Sequence, residues 1–515
     1  MRRLFLLLCA LMLCLPLITG VADESMEEKV SGDYRYYVTE DNTAVITYCS
    51  SDAAEIVIPA ELDGHPVDRI ASNAFESRND MRILTVPEGV RVLDSCAFQS
   101  CDGLEEVSLP ESLRELREGA FWGCDALRRI NIPDGLTYVG EGIFAYARPE
   151  EIILSENHPL LRKEGDALVR KEDRCLIWYP PQNSGSYRVP EDILRIGRGA
   201  FCRCELEEII LPEGLQSLSQ IAITSCNQIS EIRIPKGIQE MVGTINTCKG
   251  LKNIEVDPEN EWLTSVDGVV FSKDRTTLVC YPAGRKEKNY NVPAGTRVIG
   301  SQAVSGAEGL KTVKLPDGVE VIEDNAFSIC YDLEKINFPE GLKKIGHAAF
   351  QNSKLTEISL PSTLEELHGL PFIACMKLKK IKVAKGNAFY EAKDNMLIYK
   401  PEKKLVMYPP ALNPKKITIP KDVEVIASFT FASCSKLSEV TVPEGVRIIM
   451  GSSFSDCYAL KKVMLPKSIE IIDFRAFETF SPTYSAFGNA TFYVYVDTKA
   501  EEIIRSWGAP MQIRK

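Results

Sequence analysis

One pattern of apolar and polar positions recurs along most of this chain. In Leu104-Glu105-Glu106-Val107-Ser108-Leu109-Pro110, two polar residues follow an apolar one, then apolar and polar alternate up to a proline. Val107 and Leu109 share the two-residue period of a strand with one face buried. Pro110 lacks an N–H and fixes φ, so the strand ends there. Leu113, Leu116, Ala120-Phe121 and Cys124 complete the unit, and Leu127, Ile130, Ile132-Pro133, Leu136, Val139 and Phe144 repeat it. Within a block the prolines lie 22 or 23 residues apart, as in Pro87, Pro110 and Pro133, or Pro293, Pro316, Pro339 and Pro361. A unit of this length cannot bury its own apolar face, whereas stacked units can. The pattern therefore predicts a β-rich solenoid of 22–23-residue turns with short parallel strands. The Ala-Phe-x-x-Cys segment is too short for an independent helix and is expected to make one helical turn that drops the Phe ring inward.

Three segments depart from this rhythm and resemble one another. They run from Asn157 to Tyr179-Pro180, from Asn260 to Tyr281-Pro282, and from Asn387 to Tyr408-Pro409. Each holds two apolar stretches around a charged turn, which is a β-hairpin signature. Hairpin inserts are expected near 157–187, 260–290 and 387–417.

The N-terminus adds a destination. Arg2 and Arg3, the apolar run Leu4–Ile18 and the small residues Gly20 and Ala22 read as a signal peptide, residues 1–22. The run is short for a spanning helix, and Cys14 follows Leu13, not the small residue a lipoprotein site requires. The expected product is secreted or extracellular, free or held at the cell surface, with no integral membrane span after leader removal. The net charge of −12 does not suit nucleic-acid binding, which needs cations to neutralise phosphates.

The units Ile70…Ala74-Phe75, Cys101…Leu104…Leu109-Pro110 and Cys434…Leu437…Val442-Pro443 resemble the BspA-like, treponemal-type leucine-rich-repeat family of bacterial secreted and surface proteins. So do Tyr34-Arg35-Tyr36-Tyr37-Val38 near the start and Phe492-Tyr493-Val494-Tyr495-Val496 near the end, followed by a helix-like Ala500–Ser506. The resemblance implies a right-handed leucine-rich-repeat superhelix and adhesin-like binding, and it implies no catalytic residues. It frames four regions: the leader, an N-terminal capping module (23–75), the repeat array (76–480) and a C-terminal cap (481–515).

Fourteen cysteines lie beyond the leader. An even count in a secreted chain invites a disulfide reading. Position argues otherwise: Cys101, Cys124, Cys204, Cys226, Cys248, Cys330, Cys375, Cys434 and Cys457 share one slot of the repeat, where other turns place Ala147, Ala307 or Ser353. A slot shared by Cys, Ala and Ser reads as small, buried packing. Cys49, Cys96, Cys175, Cys202 and Cys280 fall outside that slot, and their pairing is left open.

The chain has no G-x-S-x-G, no H-E-x-x-H and no P-loop. His158 and His347 are expected on the solvated repeat surface. No enzyme activity, cofactor or metal is expected. Two groups could carry binding. One is a basic patch near 377–416, with Lys379, Lys380 and Lys382 at its centre, set against early turns rich in Glu105, Glu106, Glu150, Glu151, Glu207 and Glu208. The other is the aromatic edge of the inserts, Trp178-Tyr179, Tyr281, Tyr399 and Tyr408, with Trp178 as its distinctive member. The expected partner is a protein or glycan ligand on a host or neighbouring cell. The alternative is a structural envelope scaffold without a specific ligand.

Overall fold

The computed structural model describes residues 27–478 and 490–514. The leader, and residues 481–489 of the expected C-terminal cap, lie outside the described residues. Two compact units divide the chain, residues 1–270 and 271–515, and the division falls inside the second insert.

In the first unit, antiparallel strands Lys29–Ser31, Tyr34–Val38 and Ala44–Cys49 open the solenoid. Two parallel sheets then rise together. One contains Glu55–Val57, Ile83–Thr85, Glu106–Ser108, Arg129–Ile132 and Glu151–Leu154. The other contains His65–Ile70, Val92–Leu93, Glu115–Leu116 and Tyr138–Val139. The register is one repeat per step, so Ile83 faces Glu106 and Glu106 faces Arg129. Glu106, Val107 and Ser108 are exposed, buried and exposed in turn, as the alternation predicts. Each turn thus adds a second strand of only two residues, at Leu93, Leu116 and Val139, to the one expected.

The Ala-Phe-x-x-Cys segment buries its ring but is not helical. Three-residue turns such as Gln99 N–H to Cys96 O (3.0 Å) alternate with bonds to the next turn, such as Phe98 N–H to Ala120 O (2.9 Å). Cys96 and Ser100 take φ of 59° and 56°, which no helix permits. The rings form columns: Phe75, Phe98 and Phe121 lie 4.9 and 5.4 Å apart in the first unit. In the second, Phe327, Phe350 and Phe372 are spaced by 5.4 and 5.3 Å, and Phe431, Phe454 and Phe477 by 5.0 and 5.1 Å. Stacked rings supply each unit with an apolar core, with Ile223, Ile245 and Val304 taking the ring's place in three turns.

All fourteen described cysteines are buried, and none is in a disulfide. The repeat-slot thiols donate to a main-chain carbonyl one turn back: Cys101 to Phe75 O (3.1 Å), Cys124 to Phe98 O (3.2 Å), Cys330 to Val304 O (3.0 Å) and Cys375 to Phe350 O (3.1 Å). The slot is therefore a hydrogen-bonding position as well as a small one. Burial pushes the thiols of Cys175, Cys202, Cys330 and Cys434 up to about 12, which keeps them protonated.

The first and third inserts are three-stranded meanders and not simple hairpins: Leu161–Glu164, Ala167–Arg170 and Cys175–Trp178, and Tyr390–Lys393, Met396–Tyr399 and Lys404–Met407. The last strand of each rejoins the parallel stack beside Arg195–Ile196 and Val425–Ile426. Each insert starts on a buried anchor. Asn387 Nδ2 donates to Pro361 O (2.8 Å) and Leu364 O (3.0 Å), and its Oδ1 accepts from Phe389 and Tyr390 N–H. Asn260 makes the equivalent four bonds. In the first insert the anchor is His158, one residue beyond Asn157. His158 Nε2 lies 3.0 Å from Pro133 O, and Nδ1 accepts from Leu160 and Leu161 N–H at 3.2 and 3.1 Å. Two N–H groups aimed at Nδ1 fix the neutral tautomer with its proton on Nε2. Burial holds the imidazole pKa below its ordinary value. His158 is thus a fully buried structural residue, not a solvated one. His347 is half-buried, with Nδ1 3.4 Å from Leu370 N–H.

Helix Lys499–Ser506 follows Tyr495, with Thr498 accepting from Glu501 N–H (3.3 Å) and Glu501 accepting from Asp497 N–H (2.8 Å). This reciprocal cap starts the helix. Its buried residues Ala500 and Ile504 join the core of the second unit, and strand Met511–Arg514 pairs with Thr491–Tyr495.

Candidate functional site

The aromatic edge dissolves in the structure. Trp178 is 5% exposed and packs edge-on to Phe144 at 6.1 Å, ending the first ring column. Tyr179, Tyr281 and Tyr408 are buried too, and Tyr399 is half-buried. Tyr179 packs on Tyr187 (4.2 Å), and Tyr408 packs on Phe431 (5.3 Å). A Tyr that opens the return to the regular turn replaces the Phe of the core, so its ring points inward. Trp178 is therefore withdrawn as a ligand contact. Among the four tryptophans the most exposed is Trp262, at 41%.

The lysines at the centre of the basic patch are exposed, and further lysines align with them. In the second unit the outward strand positions lie on parallel sheets. Asn289–Asn291, Thr312–Lys314 and Lys335–Ile336 form one; Glu357–Leu360 and Lys380–Val383 form another. Lys416–Thr418, Glu439–Thr441 and Lys462–Met464 belong to a third. Lys379, Lys380 and Lys382 are exposed on and beside the second of these sheets. The same strand positions of other turns carry Lys288, Lys311, Lys314 and Lys335 before them. Lys415, Lys416, Lys461 and Lys462 follow. Sequence reading missed Lys288 to Lys335 and the pair Lys461-Lys462 because they are scattered along the chain. Aligning the repeats on their prolines would have shown them in register.

Three carboxylates sit among these lysines, and two of them are shared. Glu357 faces Lys380 across the sheet at 3.9 Å and also pairs with Lys382. Glu439 lies between Lys416 (2.8 Å) and Lys462 (3.8 Å), and Glu334 is 3.4 Å from Lys311. The Lys382 ammonium holds the Glu357 carboxyl below its usual range, and Lys416 does the same for Glu439. Lys288, Lys314, Lys335, Lys379, Lys415 and Lys461 take part in none of the ion pairs among the described residues. The strand face of this unit thus carries more positive charge than its own acids neutralise.

The first unit has the opposite balance. Residues 1–270 hold 26 Lys and Arg against 45 Asp and Glu, a net charge of −19. Residues 271–515 hold 34 against 27, a net charge of +7. The overall acidity conceals a basic half.

Short parallel strands in one-repeat register, ring columns and a small-residue slot define a leucine-rich-repeat solenoid. The chain belongs to the BspA-type leucine-rich-repeat family, whose profile matches in six copies over residues 50–164, 181–283, 283–394 and 410–493. No curated protein matches the chain. Among solved structures it is similar to a leucine rich cell surface protein of Faecalibacterium prausnitzii, with 21% identity, a TM-score of 0.35, and 91% of this chain and 99% of that one covered. It is also similar to the pneumococcal vaccine antigen PcpA, with 16% identity, a TM-score of 0.32 and coverages of 95% and 99%. A leucine-rich-repeat protein of Bacteroides capillosus matches at 30% identity and a TM-score of 0.23, covering 25% of this chain and 98% of its own. The chain is a repeat protein with the architecture of an interaction scaffold, built to present extended surfaces. No helix among the described residues is long and apolar enough to cross a membrane.

Proposed function

We propose that this protein is an extracellular binding protein that recognises a protein or glycan on a host or neighbouring cell. Its contacts are made by the exposed strand positions of the repeat array, with Lys379, Lys380 and Lys382 among them. The signal-peptide pattern of residues 1–22 supports export. The observation that carries the reading is the lysine-rich strand face of residues 271–515, whose charge exceeds that of the acids beside it. Charge left over on a solvated face steers association with an oppositely charged partner.

The test is capture of extracellular-matrix and bacterial-surface components by the chain from Asp23 to Lys515, at low and high salt. Salt-sensitive capture that weakens in the triple variant Lys379→Glu, Lys380→Glu, Lys382→Glu is expected. Absence of any capture would favour the structural envelope scaffold. Capture indifferent to the three substitutions would remove these lysines from the site.

A further inference from the structure

We infer that the strand face of residues 271–515 is a docking surface for a linear sulfated glycan. The inference rests on the binding reading above and names the partner class. Three observations select this occupant.

The first is the kind of cation. Every basic residue at the outward positions of the three sheets that carry Lys288 to Lys462 is a lysine; Arg297 and Arg447 flank the short strands of other sheets. Residues 271–515 contain 27 Lys and only 7 Arg, whereas residues 1–270 contain 6 Lys and 20 Arg. Lysine is a compact, hydrated point charge on a flexible stem. The buried centres of folded protein interfaces are depleted in Lys and enriched in Arg and aromatic rings. A face of lysines alone therefore suits a flexible, hydrated polyanion better than a preformed protein surface.

The second is the absence of a stacking platform. Binding to single-stranded nucleic acid uses exposed aromatic rings along the basic track. Among the described residues from 288 to 462, the outward strand positions that carry the lysines hold no Trp, Phe or Tyr. Tyr493, one turn later, is already covered by Lys462 at 5.0 Å.

The third is the spacing. Neighbouring strands lie about 4.8 Å apart. The unpaired lysines recur every one to two turns: Lys288, Lys314 and Lys335 in one sheet region, Lys379 in the next, then Lys415 and Lys461. A polymer with one sulfate or more per sugar can meet such a row repeatedly, with no single contact needing fixed geometry. Affinity then comes from counterion release summed over many weak contacts.

The experiment uses the chain from Asp23 to Lys515 and immobilised heparin as the probe, with retention read as the NaCl concentration of elution. A six-site variant changes Lys288, Lys314, Lys335, Lys379, Lys415 and Lys461 to Gln. A control changes Arg82, Arg128 and Lys252, on the first unit's strand face, to Gln. Circular dichroism and thermal melts establish that both fold. The expected results are salt-dependent retention of the wild type, about tenfold or greater loss of affinity in the six-site variant, an unchanged control, and no retention on desulfated heparin. Equal loss in the control, or equal binding to desulfated heparin, would overturn the inference. So would tighter binding to poly-glutamate or single-stranded DNA of matched charge. If the six-site variant loses heparin but still captures its surface components, the general binding reading stands without the glycan. If the wild type captures nothing and ignores heparin, both fall.

Discussion

The two units repeat the same turn and differ in how they spend their cations. In residues 1–270, arginine ties the solenoid to itself. Arg170 holds Asp173 (2.8 Å) and Glu141 (3.7 Å), and Arg195 reaches the same two carboxylates at 3.7 and 3.3 Å. Glu141 also accepts from Arg198 N–H (2.7 Å), so one side chain links the turn before the first insert to the turn after it. Arg198 and Arg203 stack over Trp122 and Tyr146, at 5.4 and 4.9 Å. In residues 271–515, lysines line the strand face and more than half of them hold no carboxylate. A planar, five-donor guanidinium suits half-buried networks, and an ammonium suits a wet surface. The lesson is that one repeat can serve as a clasp or as a docking face by exchange of surface cations alone, with the core untouched.

If the units share their core, the largest effect should be the same in both. Phe98→Ala and Phe350→Ala each remove a fully buried ring from a stacked column, and each should cost about 3–5 kcal/mol. Denaturation midpoints, with hydrogen exchange to localise the damage, would check this. A loss twice as large in one unit would show that the cores are not equivalent.

The surfaces should then diverge. Glu141→Gln leaves Arg170 and Arg195 short of a partner where both sides of the pair are mostly covered, at a cost of about 2 kcal/mol after allowance for residual solvent. Its counterpart Glu357→Gln comes last in size: it should leave the melting temperature unchanged and raise heparin retention, because Lys380 and Lys382 are released. If Glu357→Gln destabilised the fold as Glu141→Gln does, the division into clasp and docking face would fail.

Between these lies the anchor pair. His158 does in the first insert what Asn387 does in the third, but only His158 can take up a proton. Its folded pKa is depressed, so its contribution is intact above the unfolded value near 6.5 and declines as pH falls below it. His158→Asn should therefore match wild type at pH 8 and exceed it by no more than about 2 kcal/mol at pH 5. Parallel melts across that range decide the matter; an advantage constant with pH would place the effect elsewhere.

Much of this fold was legible because burial alternates cleanly at Val107, Ile130 and Val463, and because proline punctuates most turns. The short second strands were not, since two residues such as Glu115–Leu116 carry no period to read. The Phe-bearing turn was misread as helical because left-handed backbone at Cys96 and Ser100 leaves no mark in residue type. His158 was assigned to the surface because Asn157, beside it, mimics the asparagine of the other two inserts. Lys379, Lys380 and Lys382 stood out through adjacency in sequence, while their equivalents became visible only through register. Trp178 misled because its side chain substitutes for a core ring.

The row of buried thiols has a consequence for how the molecule fails. The repeat-slot thiols lie one to a turn, so opening one turn unmasks one slot sulfur while its neighbours stay covered. Timed alkylation followed by peptide mapping would thus read out, sulfur by sulfur, where the solenoid frays first. In an oxidising medium the same event is a ratchet: a thiol that escapes can be oxidised or mispaired before its turn closes again. Durability outside a cell would then be governed by the rate of opening and not by the equilibrium between folded and unfolded chains.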